Sequence, residues 1–156
     1  MKVSVTTEQG RHTLRFERRM RHPVEQVWRA ISRAEHLSAW YPVQVKEIPL
    51  EVGAEVEFYD ENGTVYPSVV SEYEPQRILA FRDAGGDEVR LELTAEGKET
   101  LLVFTHSFAE EVPPAQHATG WHACFEALDA VLDERPVPPL GYDKELRRHY
   151  DQILTS

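Results

Sequence analysis

The chain has a single cysteine, Cys124, so no disulfide can close within it, and the disulfide-stapled scaffolds of small secreted domains are excluded. A reducing cytoplasm is the compartment this implies. Nowhere do eighteen apolar residues run together, and the opening MKVSVTTEQGRH lacks the apolar core of a secretory signal. No membrane association is expected. Positive charge is scarce as well: 17 Lys and Arg against 27 Asp and Glu leave a formal charge of −10, and that field repels phosphate backbones and anionic lipid surfaces. Nucleic acid is therefore not an expected partner. The one basic cluster, Arg15 to His22, is interleaved with Phe16 and Met20 in a strand-like pattern and reads as a solvated strand face. Gly-rich phosphate loops and the serine-hydrolase and kinase signatures are absent. His117 and His122 are five apart, which misses the i, i+4 spacing that sets two imidazoles on one helical face, and there is no Cys/His cluster. Neither a metal site nor a cofactor is expected.

What is present organises into one domain. With 156 residues, 41% of them hydrophobic, the chain can bury one sizeable core. RHTLRFERRMRH alternates as a strand, with Leu14, Phe16 and Met20 on one side. After Pro23 the period changes: Val24, Val27, Trp28 and Ile31 fall at i, i+3, i+4 and i+7, the apolar stripe of a helix. Ser32 and Glu35 have capping-box spacing, which predicts a second short helix that carries Leu37, Trp40 and Tyr41 and stops at Pro42.

From Val43 to Phe108 six strands are predicted: 43–48, 54–61, 64–73, 77–82, 88–94 and 99–108, separated by turn signals such as Asn62-Gly63, expected as a type I′ hairpin, and Gly85-Gly86. Pro67 inside one of them suggests an edge or a bulge. The helical period returns over AQHATGWHACFEALDAVLDER, where Trp121, Phe125, Leu128 and Leu132 form a stripe and Gly120 allows close backbone approach. A stiff linker, RPVPPLG, leads to a tail helix with Leu146, Tyr150 and Ile153 as its apolar face, expected to dock on the body or on another copy. The expected division is a body over 1–135 and a proline-rich linker with tail helix over 136–156.

The order strand, two short helices, six strands and long helix is the helix-grip arrangement. The segments VWRAISRAEHLSAWYP, EYEPQRILAF and GWHACFEALDAVL resemble the START-like (SRPBCC) superfamily, and more narrowly the single-domain bacterial members of the activator of heat shock protein 90 ATPase homologue family. That resemblance implies an α+β, birch-pollen-allergen-like fold: a curved seven-stranded antiparallel sheet, two short helices after the first strand, and a long C-terminal helix over a cavity.

In such a fold the ligand sits between sheet and helix. Strand alternation and helix position nominate Trp40, Tyr41, Phe58, Tyr66, Phe104, His106, Trp121 and Phe125 as ligand-binding residues, with Trp40, Tyr41 and Pro42 at the cavity entrance. The expected function is non-enzymatic binding of a small lipid-like or aromatic molecule. Two alternatives stand beside it. One is a cyclase- or hydrolase-like enzyme using His106, with Tyr66 as its acid/base partner. The other is an interaction module, as a co-chaperone or as a homodimer through the tail. Cys124, on the apolar flank of the long helix, is expected to be an inert small hydrophobe.

Overall fold

Alternation is most regular in the last strand, Glu99 to Ala109, where Thr100, Leu102, Phe104, His106 and Phe108 are buried and their neighbours are not. In the computed structural model, described over residues 1–154, this strand lies against the first long strand near the middle of one antiparallel sheet. In chain order the elements are β1 (Lys2–Glu8), β2 (Arg11–Met20), α1 (Val24–Ser32), α2 (Ala34–Leu37), β3 (Gln44–Val45), β4 (Glu55–Tyr59), β5 (Val65–Glu74), β6 (Ile78–Asp83), β7 (Glu88–Glu96), β8 (Glu99–Ala109), α3 (Pro114–Leu132) and α4 (Lys144–Ile153). The sheet runs β1-β2-β8-β7-β6-β5-β4-β3, so β1 and β3 are its edges. No helix among the described residues is long and apolar enough to cross a membrane.

The sheet has eight strands where seven were expected. The extra one is β1, whose only apolar residues, Val3 and Val5, are half-buried on an edge and give too weak a period to read from sequence. It is joined to β2 by Gln9-Gly10, both at positive φ (51° and 78°), as a two-residue type I′ turn requires. Asn62-Gly63 is different: only Gly63 has positive φ, Gly63 N–H donates to the Asp60 carbonyl, and the Asp60 carboxylate accepts from Asn62 and Thr64 N–H. That is a longer loop, not a type I′ pair. β3 shrinks to two residues because the segment around it runs between Pro42 and Pro49, which bring no N–H to a ladder.

Pro67 lies in an interior strand, not on an edge. It is tolerated because β6 pairs with β5 only from Ser68 onward, so the ladder on that side has already ended. The irregularity in β5 falls instead between Val70 and Glu72, where the register shifts and the buried Ser71 hydroxyl has no partner among the described residues.

The Ser32 capping box does not form either. The Ser32 hydroxyl donates backward to the Trp28 carbonyl at 2.6 Å, and the N-cap of α2 is Arg33, with no side-chain cap. The turn between α1 and α2 is held by packing: Leu37 and Trp40 are fully buried, and the Trp40 indole N–H donates to the Ala30 carbonyl at 2.9 Å.

α3 is fastened to the sheet at its C-terminal half. Phe125 meets Phe16 and Phe104 edge-on, both at 5.1 Å, and stacks on Trp40 at 6.3 Å. Arg18 follows Leu14 and Phe16 onto the inner face of β2, where a cation needs a partner. Its guanidinium binds both carboxylate oxygens of Asp129, at 2.8 and 3.3 Å, and the Phe125 carbonyl at 3.1 Å.

The tail helix docks on its own chain. Asp143 caps α4 by accepting from Glu145 and Leu146 N–H, Tyr150 and Leu154 are buried, and the Tyr150 hydroxyl meets His122 Nδ1 at 2.7 Å. Ile153 is exposed; Leu146, Tyr150 and Leu154, spaced i, i+4 and i+8, form the docking row in its place. The final residues 155 and 156 of the expected tail segment lie outside the described residues.

Trp40→Ala should cost about 3–5 kcal/mol. Trp40→Phe, which keeps a ring but orphans the Ala30 carbonyl, should cost about 1–3 kcal/mol. Urea unfolding followed by circular dichroism measures both.

Candidate functional site

The N-terminal half of α3 packs on β8, where Trp121 meets Phe104 at 4.5 Å and His117 meets Phe108 at 4.4 Å, and a cavity of about 660 Å³ opens beside that contact, lined by Phe58 of β4, Phe81 of β6 and Val89 of β7. Its apolar wall is aromatic. Tyr41, which ends the turn after α2, stacks on Phe58 of β4 at 5.5 Å and meets Trp121 of α3 at 5.4 Å, and Phe58 stands edge-on to Phe81 of β6 at 5.2 Å. Leu140 and Tyr142 of the proline-rich linker complete the rim.

The opposite end is polar and is organised around His106 of β8. The Trp121 indole N–H donates to His106 Nδ1 at 3.0 Å. Because an indole is only a donor, Nδ1 must be the acceptor, and the proton of the neutral ring is carried by Nε2. Nε2 lies 3.2 Å from Asp87 Oδ2 and donates to it. Burial lowers the His106 pKa, and Asp87 opposes that shift. Protonating Nδ1 would also turn it against the indole N–H. His106 is thus a neutral linker between helix and sheet with both nitrogens spent.

His117, one helical turn before Trp121, faces the His106 ring at 4.5 Å and the Phe108 ring at 4.4 Å. Burial, and then the neighbouring His106, push its pKa down to about 4. It makes no hydrogen bond among the described residues, so at neutral pH it offers the cavity a free lone pair. Asp87 and Asp83 flank the β6–β7 turn, and Asp87 N–H donates to Asp83 Oδ1 at 3.0 Å. Arg11 Nη2 is 4.0 Å from Asp87 Oδ1 and donates to the Gly86 carbonyl, while Arg11 Nε donates to the Ser107 hydroxyl. The Tyr41 phenol is driven above its ordinary range by burial, then by the Cys124 thiol and Asp83, and its hydroxyl has no hydrogen-bond partner among the described residues. Burial lifts the Cys124 thiol to about 12, which removes it as a nucleophile.

One ligand atom each from Asp87, His106 and His117 lie within 4.8 Å of one another, a spacing compatible with a metal ion. The donor set argues otherwise. A histidine that binds metal through Nε2 carries its proton on Nδ1 and donates it outward, but Nδ1 of His106 already receives the Trp121 N–H. The arrangement stores a proton where a metal would need a lone pair.

Of the residues nominated from sequence, Tyr41, Phe58, His106 and Trp121 share the cavity wall. Tyr66 reaches its rim but is 44% exposed, and its hydroxyl donates to Asp60 Oδ2 at 3.0 Å instead of meeting His106. Trp40, Phe104 and Phe125 are fully buried behind the wall, where they pack on one another. Sequence reasoning missed Asp83, Asp87, His117 and Tyr142. The two aspartates flank a Gly-Gly turn, and His117 was weighed only against His122, although it is four residues from Trp121 and shares its face. Gly120 has a different role from the close approach expected of it: a Cβ there would meet nothing within 4 Å, and the residue lines the cavity.

A sequence model of the family described as "Activator of Hsp90 ATPase homolog 1-like protein" matches residues 21–133. No curated protein matches the chain. Solved structures with this fold include a conserved protein of unknown function from Enterococcus faecalis, 18% identical, with a TM-score of 0.81 over 97% of this chain and 90% of that one. CalU16 from Micromonospora echinospora is 21% identical, with a TM-score of 0.74 over 97% and 92%. The Aha1 dimer from Colwellia psychrerythraea is 20% identical, with a TM-score of 0.65 over 77% and 95%.

The two depressed histidines fix the sign of one pH effect. On acidification the unfolded chain takes up these protons near the ordinary value of 6.5, while the folded chain resists until about pH 4 at His117, so stability is lost as pH falls through that window. The melting temperature should fall between pH 7 and 4.5, and His117→Gln should flatten the fall. Differential scanning calorimetry across that range checks it.

Proposed function

The chain belongs to the activator of Hsp90 ATPase homolog 1-like family, and from that premise we propose that it is a binding protein that encloses a small apolar or aromatic molecule between sheet and long helix. The observation that carries this reading is the aromatic-walled cavity of about 660 Å³, a volume in the range of small-molecule sites. Burying about 200 Å² of apolar ligand surface there would contribute about 5 kcal/mol before entropic costs. In this reading residues 1–135 form the body that holds the ligand, residues 136–156 form the linker and tail, and the protein works in the cytoplasm.

An enzymatic role for His106 has less support, since both of its ring nitrogens are engaged and neither is free to take a proton. The Colwellia relative is described as a dimer. In this chain Tyr150 and Leu154 of the tail are buried within the subunit, so a contact with a second copy through the tail would have to use exposed residues such as Ile153 and Val137. Co-chaperone activity is suggested by the family description alone.

Gly120→Leu provides the test. Gly120 is exposed at the cavity lining and a Cβ there meets nothing within 4 Å, so a leucine narrows the opening without displacing a neighbour, and replacing glycine inside a helix favours folding by up to about 1 kcal/mol. Binding of the neutral probe 6-phenylhexan-1-ol, measured by calorimetry, should weaken at least about tenfold, with the melting temperature unchanged or raised. Equal binding by Gly120→Leu and the parent chain, or no binding by the parent, would sink the proposal.

A further inference from the structure

The cavity is one-sided in charge. Asp83 and Asp87 stand on its wall, and among the described residues no lysine or arginine does. Arg11 touches Asp87 at 4.0 Å without lining the cavity, and its guanidinium is committed to the Gly86 carbonyl and the Ser107 hydroxyl. The aspartate oxygens and the lone pair of His117 are acceptors, and the Tyr41 hydroxyl, the His117 N–H, the Ser68 hydroxyl and the Gln116 amide are neutral groups that can donate, so the formal charge on the wall is all negative. His106 gives its proton to Asp87 and has nothing left. The same cavity is lined by the rings of Tyr41, Phe58, Trp121 and Tyr142, and the faces of such rings attract cations.

A ligand carboxylate would lose its water here and meet two carboxylates with no cation in reach. An ammonium group would find acceptors on one side and ring faces on the other. We infer that the cavity selects an organic cation, an apolar or aromatic body bearing a protonated amine, with the ammonium held between Asp83, Asp87 and His117. This rests on the binding role proposed above and names the ligand class that role serves.

Three probes with one apolar body test it by calorimetry: 6-phenylhexylammonium, 6-phenylhexan-1-ol and 6-phenylhexanoate. The ammonium should bind about tenfold tighter than the alcohol, and the carboxylate weaker than both. Asp83→Asn keeps an oxygen to accept from Asp87 N–H, so it is the less disruptive variant, and Asp87→Asn is the second. Each should narrow the ammonium-to-alcohol ratio by about threefold or more, the ammonium losing more affinity than the alcohol.

Glu25→Gln, which removes an exposed charge that does not line the cavity, controls for the net charge of −10 and should leave the ratio where it was. If the alcohol binds and the ammonium binds no better, the cation assignment falls and the cavity-binding role stands. A ratio that neither aspartate variant moves, or that Glu25→Gln moves equally, also overturns the assignment. If none of the three probes binds, the binding role fails and takes the assignment with it. Zinc binding at micromolar concentration that requires His117 and displaces the ammonium probe would make this a metal site and overturn the organic-cation reading.

Discussion

A straight helix cannot follow a twisting sheet along its whole length, and the rest of this structure depends on where contact is kept. α3 has nineteen residues, about 28 Å of helix, laid across a sheet of eight strands whose twist turns the surface away beneath it. Contact is kept at the C-terminal half, where Phe125 sits among Phe16, Phe104 and Trp40, and where Arg18 holds Asp129 and a helix carbonyl. At the N-terminal half Trp121 and His117 keep contact with β8, through Phe104, Phe108 and the Trp121–His106 hydrogen bond. The cavity lies beside that contact, over the part of the sheet formed by β4 to β7.

That division accounts for the distribution of polar groups. Where packing is dense, buried polar atoms are paired: Trp40 with the Ala30 carbonyl, Thr100 with the His22 carbonyl. At the cavity end, the Tyr41 hydroxyl and the His117 imidazole have no protein partner among the described residues, and two carboxylates share one wall. Groups left in that state destabilise a fold unless water or a ligand satisfies them. The Ser71 hydroxyl, at the register shift in β5, lies apart from this group; the groups at the cavity share one wall.

Most of the scaffold was legible because its signals are periodic. The two short helices, the β4–β8 strands and α3 follow from 3.6- and 2-residue repeats, and of the eight nominated residues Tyr41, Phe58, His106 and Trp121 line the cavity, with Tyr66 at its rim. What was not legible depends on third dimensions that no repeat encodes. β1 has too few apolar residues to show a period. Trp40, Phe104 and Phe125 have the right chemistry and the right face, but core and cavity wall differ only in whether a side chain faces the helix contact or the space beside it. Asp83 and Asp87 belong to a turn, and turn sequences report backbone geometry and not what the turn leans against. The Ser32 cap shows a motif read correctly as a spacing and then outcompeted by a nearer carbonyl.

Gly120 gives the architecture a further property. It lies on the half of α3 that lines the cavity, one residue before Trp121, and a side chain built on it would project into open space. Cavity size is therefore set in part by a position that the core does not constrain. Single-nucleotide changes from a glycine codon, to alanine or valine among others, would shorten the cavity in graded steps while the fold continued to assemble around Phe125. Under the binding role proposed above, a lineage carrying this scaffold can exchange one ligand for a smaller one without passing through an unfolded intermediate.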